Sequence, residues 1–315
     1  MIYRIEHVTE YLYDELVATS YHDLHLSPRP SETQICHEQK LTVTPHPRGR
    51  REHTDYFGNR CVFLEIHEPH HKLEVISRNT VEVLPSAAPH IAHGADPGAG
   101  PAWELVRDSI RRPHSAALLA VCDFAFESPY VRIPPGAAEY AEQSFAPGRP
   151  IAEAALDLTR RIYTDFSYDR RATSVSTPVD EVLALRRGVC QDFAHLQIAC
   201  LRALGLPARY VSGYLVTRPP PGRPRLVGAD ASHAWVGVYC GDAGWLPLDP
   251  TNNAIPNEQH ITLAWGRDFG DVTPMRGVIT GGGRHQVKVS VDVTPADSDG
   301  IDGVASADIR GVSGS

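Results

Sequence analysis

Over roughly the first 85 positions, apolar and polar residues alternate in short runs: Ile2 to Leu12, Ile35 to Val43, Cys61 to His67 and Leu73 to Val83. A period of two is that of a strand with one buried face. Turn-formers separate the runs, most clearly in Asp55-Tyr56-Phe57-Gly58-Asn59-Arg60, where Gly58 and Asn59 tolerate positive φ and let one strand fold back on the next. A small antiparallel β-sandwich is predicted over residues 1–85. From Pro85 to Gly100 the pattern lapses into Ala, Pro, Gly and His, the composition of a linker.

The period then becomes helical. Trp103 to Ile110, Ala117 to Phe124 and Ala137 to Ser144 are helix candidates, and Ile151 to Phe166 carries Ile151, Ala154, Ala155, Leu158, Ile162 and Phe166 on one stripe. A further helix starts at Cys190, with Phe193, Leu196, Ile198, Leu201 and Leu204 at helical spacing until Gly205 closes it. Strands follow over Ala208 to Leu215, His233 to Tyr239, Gly244 to Leu248 and Val287 to Val293. The basic, proline-rich run Arg218 to Arg225 reads as a surface loop. The fold class expected is α+β: the sandwich of residues 1–85, a linker and helical segment at 86–150, a helix-on-antiparallel-sheet catalytic domain at 151–296, and a disordered tail at 297–315.

Composition narrows the function. Lys plus Arg number 30 against 38 for Asp plus Glu, a formal net charge of -8, with no basic block, so nucleic acid is not an expected partner. No stretch of about 18 apolar residues occurs and Met1 to His7 has no apolar signal region, so no membrane is expected and the chain reads as cytoplasmic. Six cysteines are spread singly, the pattern of reduced thiols. His67-Glu68-Pro69-His70-His71 matches the H-E-x-x-H zinc signature by letter, but Pro69 and strand-like flanks deny it the continuous helix that the motif needs, and it reads as a solvated hairpin turn between two strands. No metal and no cofactor are expected, and no loop of spaced acids suggests calcium.

Chemistry points to Arg187-Gly188-Val189-Cys190-Gln191-Asp192. Gly188 suggests a sharp turn, and Cys190 lies in the first turn of a buried helix, where unpaired N–H groups and the helix dipole favour a thiolate. Asp192 is placed to cap that turn, His195 and Cys200 to pack in the core. A thiolate doing acyl transfer needs an imidazole to move its proton and a group to hold the ring. His233 starts one strand and Asp249 ends the next; if Gly241 to Gly244 is the hairpin loop, antiparallel pairing brings them side by side. Helix, strand and strand in this order make a papain-like hydrolase core with its elements rearranged.

Gly188-Val189-Cys190-Gln191-Asp192, Ala231-Ser232-His233-Ala234-Trp235-Val236 and Gly244-Trp245-Leu246-Pro247-Leu248-Asp249-Pro250-Thr251-Asn252 resemble the transglutaminase-like superfamily. The bacterial branch is closer still: its amino-terminal β-region is similar to residues 1–85, with the Asp55 to Asn59 turn, and its tail pattern resembles His260-Ile261 through Gly266-Arg267-Asp268 to Asp271-Val272. The resemblance implies Cys190 as nucleophile, His233 as general acid and base, and Asp249 as the orienting carboxylate. One departure is Gly237, where the family often has an acidic residue. The backbone N–H of Cys190 is the natural first oxyanion donor; Tyr168 and Gln191 are candidates for the second, and Trp235 for a substrate contact.

Acyl transfer from a peptide or protein amide to water would make a cysteine peptidase or amidase. Transfer to an amine would make a protein-glutamine γ-glutamyltransferase with the same residues, and a non-catalytic binding module of this fold is the third reading. The intact Cys, His and Asp argue for an enzyme, and hydrolysis is the leading expectation. Oligomeric state is not legible.

Overall fold

The computed structural model describes residues 1–86, 88, 100–216 and 231–296. Most of the predicted linker, the 218–225 run and the 297–315 tail lie outside the described residues. In chain order the strands are β1 (Ile2–Leu24), β2 (Gln34–Thr44), β3 (Gly49–Thr54), β4 (Arg60–Ile66), β5 (His70–Val83), β6 (Ser167–Tyr168), β7 (Arg187–Gly188), β8 (Ala208–Leu215), β9 (Ala231–Tyr239), β10 (Trp245–Leu248), β11 (His260–Gly266), β12 (Met275–Gly281) and β13 (His285–Ala296). The helices are α1 (Trp103–Arg111), α2 (Ala116–Cys122), α3 (Ala137–Glu142), α4 (Ile151–Asp165), α5 (Val179–Leu185) and α6 (Cys190–Ala203). The class is α+β with mostly antiparallel strands, as the periodicities predict. None of these helices is long and apolar enough to cross a membrane.

The amino-terminal sheet has the order β2-β5-β1-β4-β3, with β12 and β13 also paired to β1. Its organiser is β1, long enough to serve two sets of partners. The first half runs between β5 and β13, the second between β4 and β12. The sheet curls, and Tyr13, Val17, Leu24, Val62, Leu64, Ile66, Leu73 and Val75 close a core of their own inside the curl. Two expectations change here. The strands at 275–296, assigned by sequence position to the catalytic domain, instead complete the amino-terminal sheet, because alternation shows that a segment is a strand and not which edge it will cover. Residues 67–69 join β4 and β5, which do not pair with each other but follow one another along the same edge of β1, β4 against Ser20 to Leu24 and β5 against Ile2 to Val17, so they link two collinear strands and do not form a hairpin turn.

The second sheet has the order β10-β9-β8-β11, all antiparallel. The fully buried α6 side chains Leu196, Ile198, Ala199 and Leu201 belong to one core with Val236, Val238, Leu246, Leu248 and Ile261 of this sheet. The predicted α4 stripe lies wholly in that core, and so do Tyr3, Ile5, Val291 and Val293 of the amino-terminal sheet.

The two sheets are joined at the outer edge of β11. An open edge needs donors and acceptors to satisfy its backbone. Two side-chain amides supply them. Gln34 donates to the Thr262 carbonyl at 2.7 Å and accepts from the Thr262 N–H at 2.8 Å. Asn59 donates to the Trp265 carbonyl at 2.8 Å and accepts from the Trp265 N–H at 3.0 Å. In the β3–β4 turn Gly58 alone takes positive φ, at 78°, and Asn59 contributes this side chain in place of a left-handed backbone.

Candidate active site

Helix α6 begins where the chain leaves a short parallel pairing of Arg187 and Gly188 with Ser167 and Tyr168. Val189 is extended at the N-cap, and the first intrahelical bond runs from the Phe193 N–H to the Val189 carbonyl at 3.1 Å. The N–H groups of Cys190, Gln191 and Asp192 therefore make no intrahelical bond and face outward from the helix end. Asp192 caps the turn as expected, accepting from the Val189 N–H at 2.7 Å and from Thr173 Oγ1 at 2.6 Å.

Gly188 serves a different purpose from the sharp turn predicted. The positive φ in this segment, 53°, belongs to Arg186. A Cβ at Gly188 would lie 2.7 Å from Asp192 Oδ2 and 2.8 Å from Asp192 Cβ, so glycine leaves room for the capping carboxylate. Gly188→Ala should displace that cap and cost about 1–2 kcal/mol. Urea unfolding checks it; an unchanged midpoint would remove the cap from the account.

His233 and Asp249 meet through the β9–β10 hairpin, whose register pairs Trp245 with Tyr239 and Leu248 with Val236. His233 Nε2 and Asp249 Oδ2 are 2.7 Å apart and both residues are buried. Burial disfavours a charged His233, but the bonds to Asp249 and to the Cys190 thiol outweigh it and raise its pKa. Burial likewise pushes Asp249 up, yet His233, His260 and Asn252 together hold its carboxyl well below the usual range. With Nε2 bonded to Asp249, Nδ1 is the ring nitrogen left for Cys190.

Asp249 is saturated. Its Oδ1 accepts from the backbone N–H groups of Thr251 at 2.9 Å and Asn252 at 3.2 Å, and its Oδ2 meets His233, Asn252 Nδ2 at 2.7 Å and His260 Nε2 at 3.3 Å. His260 and Asn252 had no role assigned from the sequence, although both lie in quoted stretches. A polar residue at each end of the 249–260 connection was the available signal. His233, Asp249 and His260 offer three donor atoms of the kind a cation takes. Their separations of 2.7 and 3.3 Å are those of hydrogen bonds to Asp249 Oδ2.

The remaining candidates are distributed unevenly. Trp235 is buried, stacked on His233 with ring centroids 6.1 Å apart and edge-on to His260 at 5.4 Å. Tyr168 is 50 % exposed, with its ring edge-on to Phe193. Gln191 donates its side-chain amide to the Val175 carbonyl at 3.0 Å. His195 is buried, held neutral with its pKa pushed down to about 3 by burial, and accepts from the Phe269 N–H. Cys200 is buried with its thiol pushed up to about 12. The H-E-x-x-H letters do not converge: His67 lies against Tyr21 and Arg48, and His70 donates to the Glu68 carbonyl.

Residues 3–82 match the model of the bacterial transglutaminase-like N-terminal region, and residues 138–250 match that of the transglutaminase-like superfamily. Uncharacterized proteins of Mycobacterium tuberculosis and Mycobacterium bovis are 43% identical over 304 residues, covering 95% of this chain and 94% of theirs. A protein-glutamine gamma-glutamyltransferase of Pseudomonas aeruginosa is 35% identical over 128 residues, 39% of this chain and 19% of that protein. Among solved structures, a candidate cysteine protease from Cytophaga hutchinsonii superposes with a TM-score of 0.71 at 22% identity, covering 95% of this chain and 92% of that one.

Proposed function

The chain belongs to the transglutaminase-like superfamily and carries its bacterial amino-terminal region, and from that premise we propose that it is a thiol acyl-transfer enzyme acting on peptide or protein amides. The observation that carries this reading is the hydrogen bond of His233 to the saturated Asp249 beside a cysteine at a helix start.

The Cys190 thiol gives its proton to His233, and Sγ attacks the substrate carbonyl carbon. The oxyanion that forms takes the Cys190 N–H at the start of α6, with Tyr168 or Gln191 as the candidate second donor. His233 returns the proton to the leaving nitrogen, the C–N bond breaks, and a thioester remains. Asp249 fixes the ring and balances its charge throughout. Water, deprotonated by His233, then attacks the thioester, releasing acid and thiol: peptidase or amidase chemistry. Transfer to an amine uses the same residues, and the local identity to the Pseudomonas aeruginosa glutamyltransferase favours it as the second reading.

Incubation with glutamine-containing peptides and a tagged primary amine separates the two by mass spectrometry. Cleavage or deamidation without tag is expected; tag on glutamine would replace hydrolysis by transfer. A Cys190→Ala control should abolish either signal. Iodoacetamide should label Cys190 faster than the buried Cys200, and equal rates would reject an activated thiol.

A further inference from the structure

A groove of about 660 Å³ runs between the two sheets, bounded by Gln34, Arg209, Trp235, Trp245, His260 and Trp265. It ends against the candidate active site, since Trp235 stacks on His233 and His260 bonds Asp249. The Arg209 guanidinium lies between two indoles, 3.8 Å from the Trp265 ring and 4.4 Å from the Trp245 ring, and Arg29 stacks on Trp265 at 3.6 Å. Indole faces hold a guanidinium in plane without satisfying its N–H groups. Arg209 Nε is sequestered from solvent and has no hydrogen-bond partner among the described residues. Among the described residues the one acidic side chain bounding the groove, Glu32, is exposed and makes no bond to Arg209. Burial and the neighbouring Arg29 lower the pKa of Arg209 to about 9, which leaves it charged at neutral pH.

A half-buried cation with an enclosed Nε and no counter-ion among the described residues is costly unless a ligand supplies one. Gly237 faces it: a Cβ there would lie 2.8 Å from Arg209 Nε, so this position is kept clear beside the guanidinium. We propose that Arg209, caged by Trp245 and Trp265, is a subsite for a carboxylate on the substrate, so that the enzyme selects acidic peptides. This deepens the acyl-transfer reading and rests on it for the word substrate. The binding itself does not require turnover.

The test uses full-length protein with Cys190→Ala, immobilised and exposed to acetylated tetrapeptide libraries. One arm carries an internal Glu or Gln in peptides amidated at the C-terminus; the other carries neither and compares free acid with amide. Retention is read by mass spectrometry. Preference for carboxylate of about tenfold or more is expected in one arm, which identifies side-chain or terminal carboxylate as the source. It should be lost on adding Arg209→Met, and on adding Gly237→Asp, which keeps the cation and gives it an internal partner. No preference in either arm overturns the subsite, as does a preference that survives both variants in folded protein. Reactivity of Cys190 is measured separately, so an inert thiol with Arg209-dependent retention rejects the chemistry and leaves the subsite standing.

Discussion

Asp249→Asn should lower turnover by on the order of 10³ to 10⁴ while leaving Cys190 in place. The size follows from how completely Asp249 is used. One oxygen meets His233, His260 and Asn252, and the other meets two backbone N–H groups. An amide has one acceptor and one donor end, so either orientation sets an NH₂ against N–H groups. His233 loses the acceptor that fixes Nε2–H and leaves Nδ1 for the thiol. The pH dependence has a definite sign. His233 is raised above the ordinary imidazole value of about 6.5, so its pairing stabilises the fold below that value and the contribution fades as pH rises through the raised pKa. Asp249 is depressed, so its contribution is present above the ordinary carboxylate pKa and is lost as pH falls through the depressed one. In Asp249→Asn both contributions go, the alkaline limb of the rate profile moves to lower pH, and the stability loss is greatest between the ordinary carboxylate and imidazole values, at about pH 4 to 6.5, and shrinks on either side. Rate–pH profiles with thermal melts at several pH values check this. A variant with wild-type turnover and an unmoved alkaline limb would remove Asp249 from the mechanism.

What the chain discloses before folding is mostly what one element can state by itself. The α4 stripe, the start of α6 at Cys190 and the span of β8 are local patterns of period 3.6 or 2, and each element forms where its pattern lies. His233 and Asp249 were legible because a short turn joins their strands, so sequence distance bounded spatial distance. His260 was not. It reaches Asp249 from β11, which pairs with β8 on the far side of β9, and no local pattern encodes that order. The β12 and β13 pairings with β1 span the whole chain and were missed for the same reason. Gly188 misled in another way: glycine marks either a left-handed backbone or a close approach, and only the position of Asp192 decides between them. The role of Arg209 stays invisible in sequence because the unpartnered Nε is defined by what folding fails to bring to it among the described residues.

Asn59→Ala should destabilise the protein by about 3 kcal/mol, more than is usual for a residue in a turn. Asn59 is fully buried, and its side chain serves β11 as a neighbouring strand would. It also accepts from Arg29 Nη1 at 2.8 Å and donates to Asp55 Oδ2 at 2.8 Å. Removing it leaves the Trp265 N–H and carbonyl without these partners, at about 1–3 kcal/mol for each buried group left unsatisfied. Asn59→Asp makes the argument sharper. It keeps an acceptor for Trp265 N–H and Arg29 but sets a carboxylate oxygen against the Trp265 carbonyl and Asp55, so it should be no better than alanine despite its closer shape. Urea denaturation of the two variants measures this, and a loss under about 0.5 kcal/mol in both would mean that water replaces the amide and that the edge is not held there. Because β11 carries both His260 and Trp265, a loosened edge should also reduce turnover, through His260 behind Asp249 and through the Trp265 wall of the Arg209 cage. The amino-terminal sheet then acts as a brace for the strand that backs the active site, coupling the stability of one unit to the chemistry of the other.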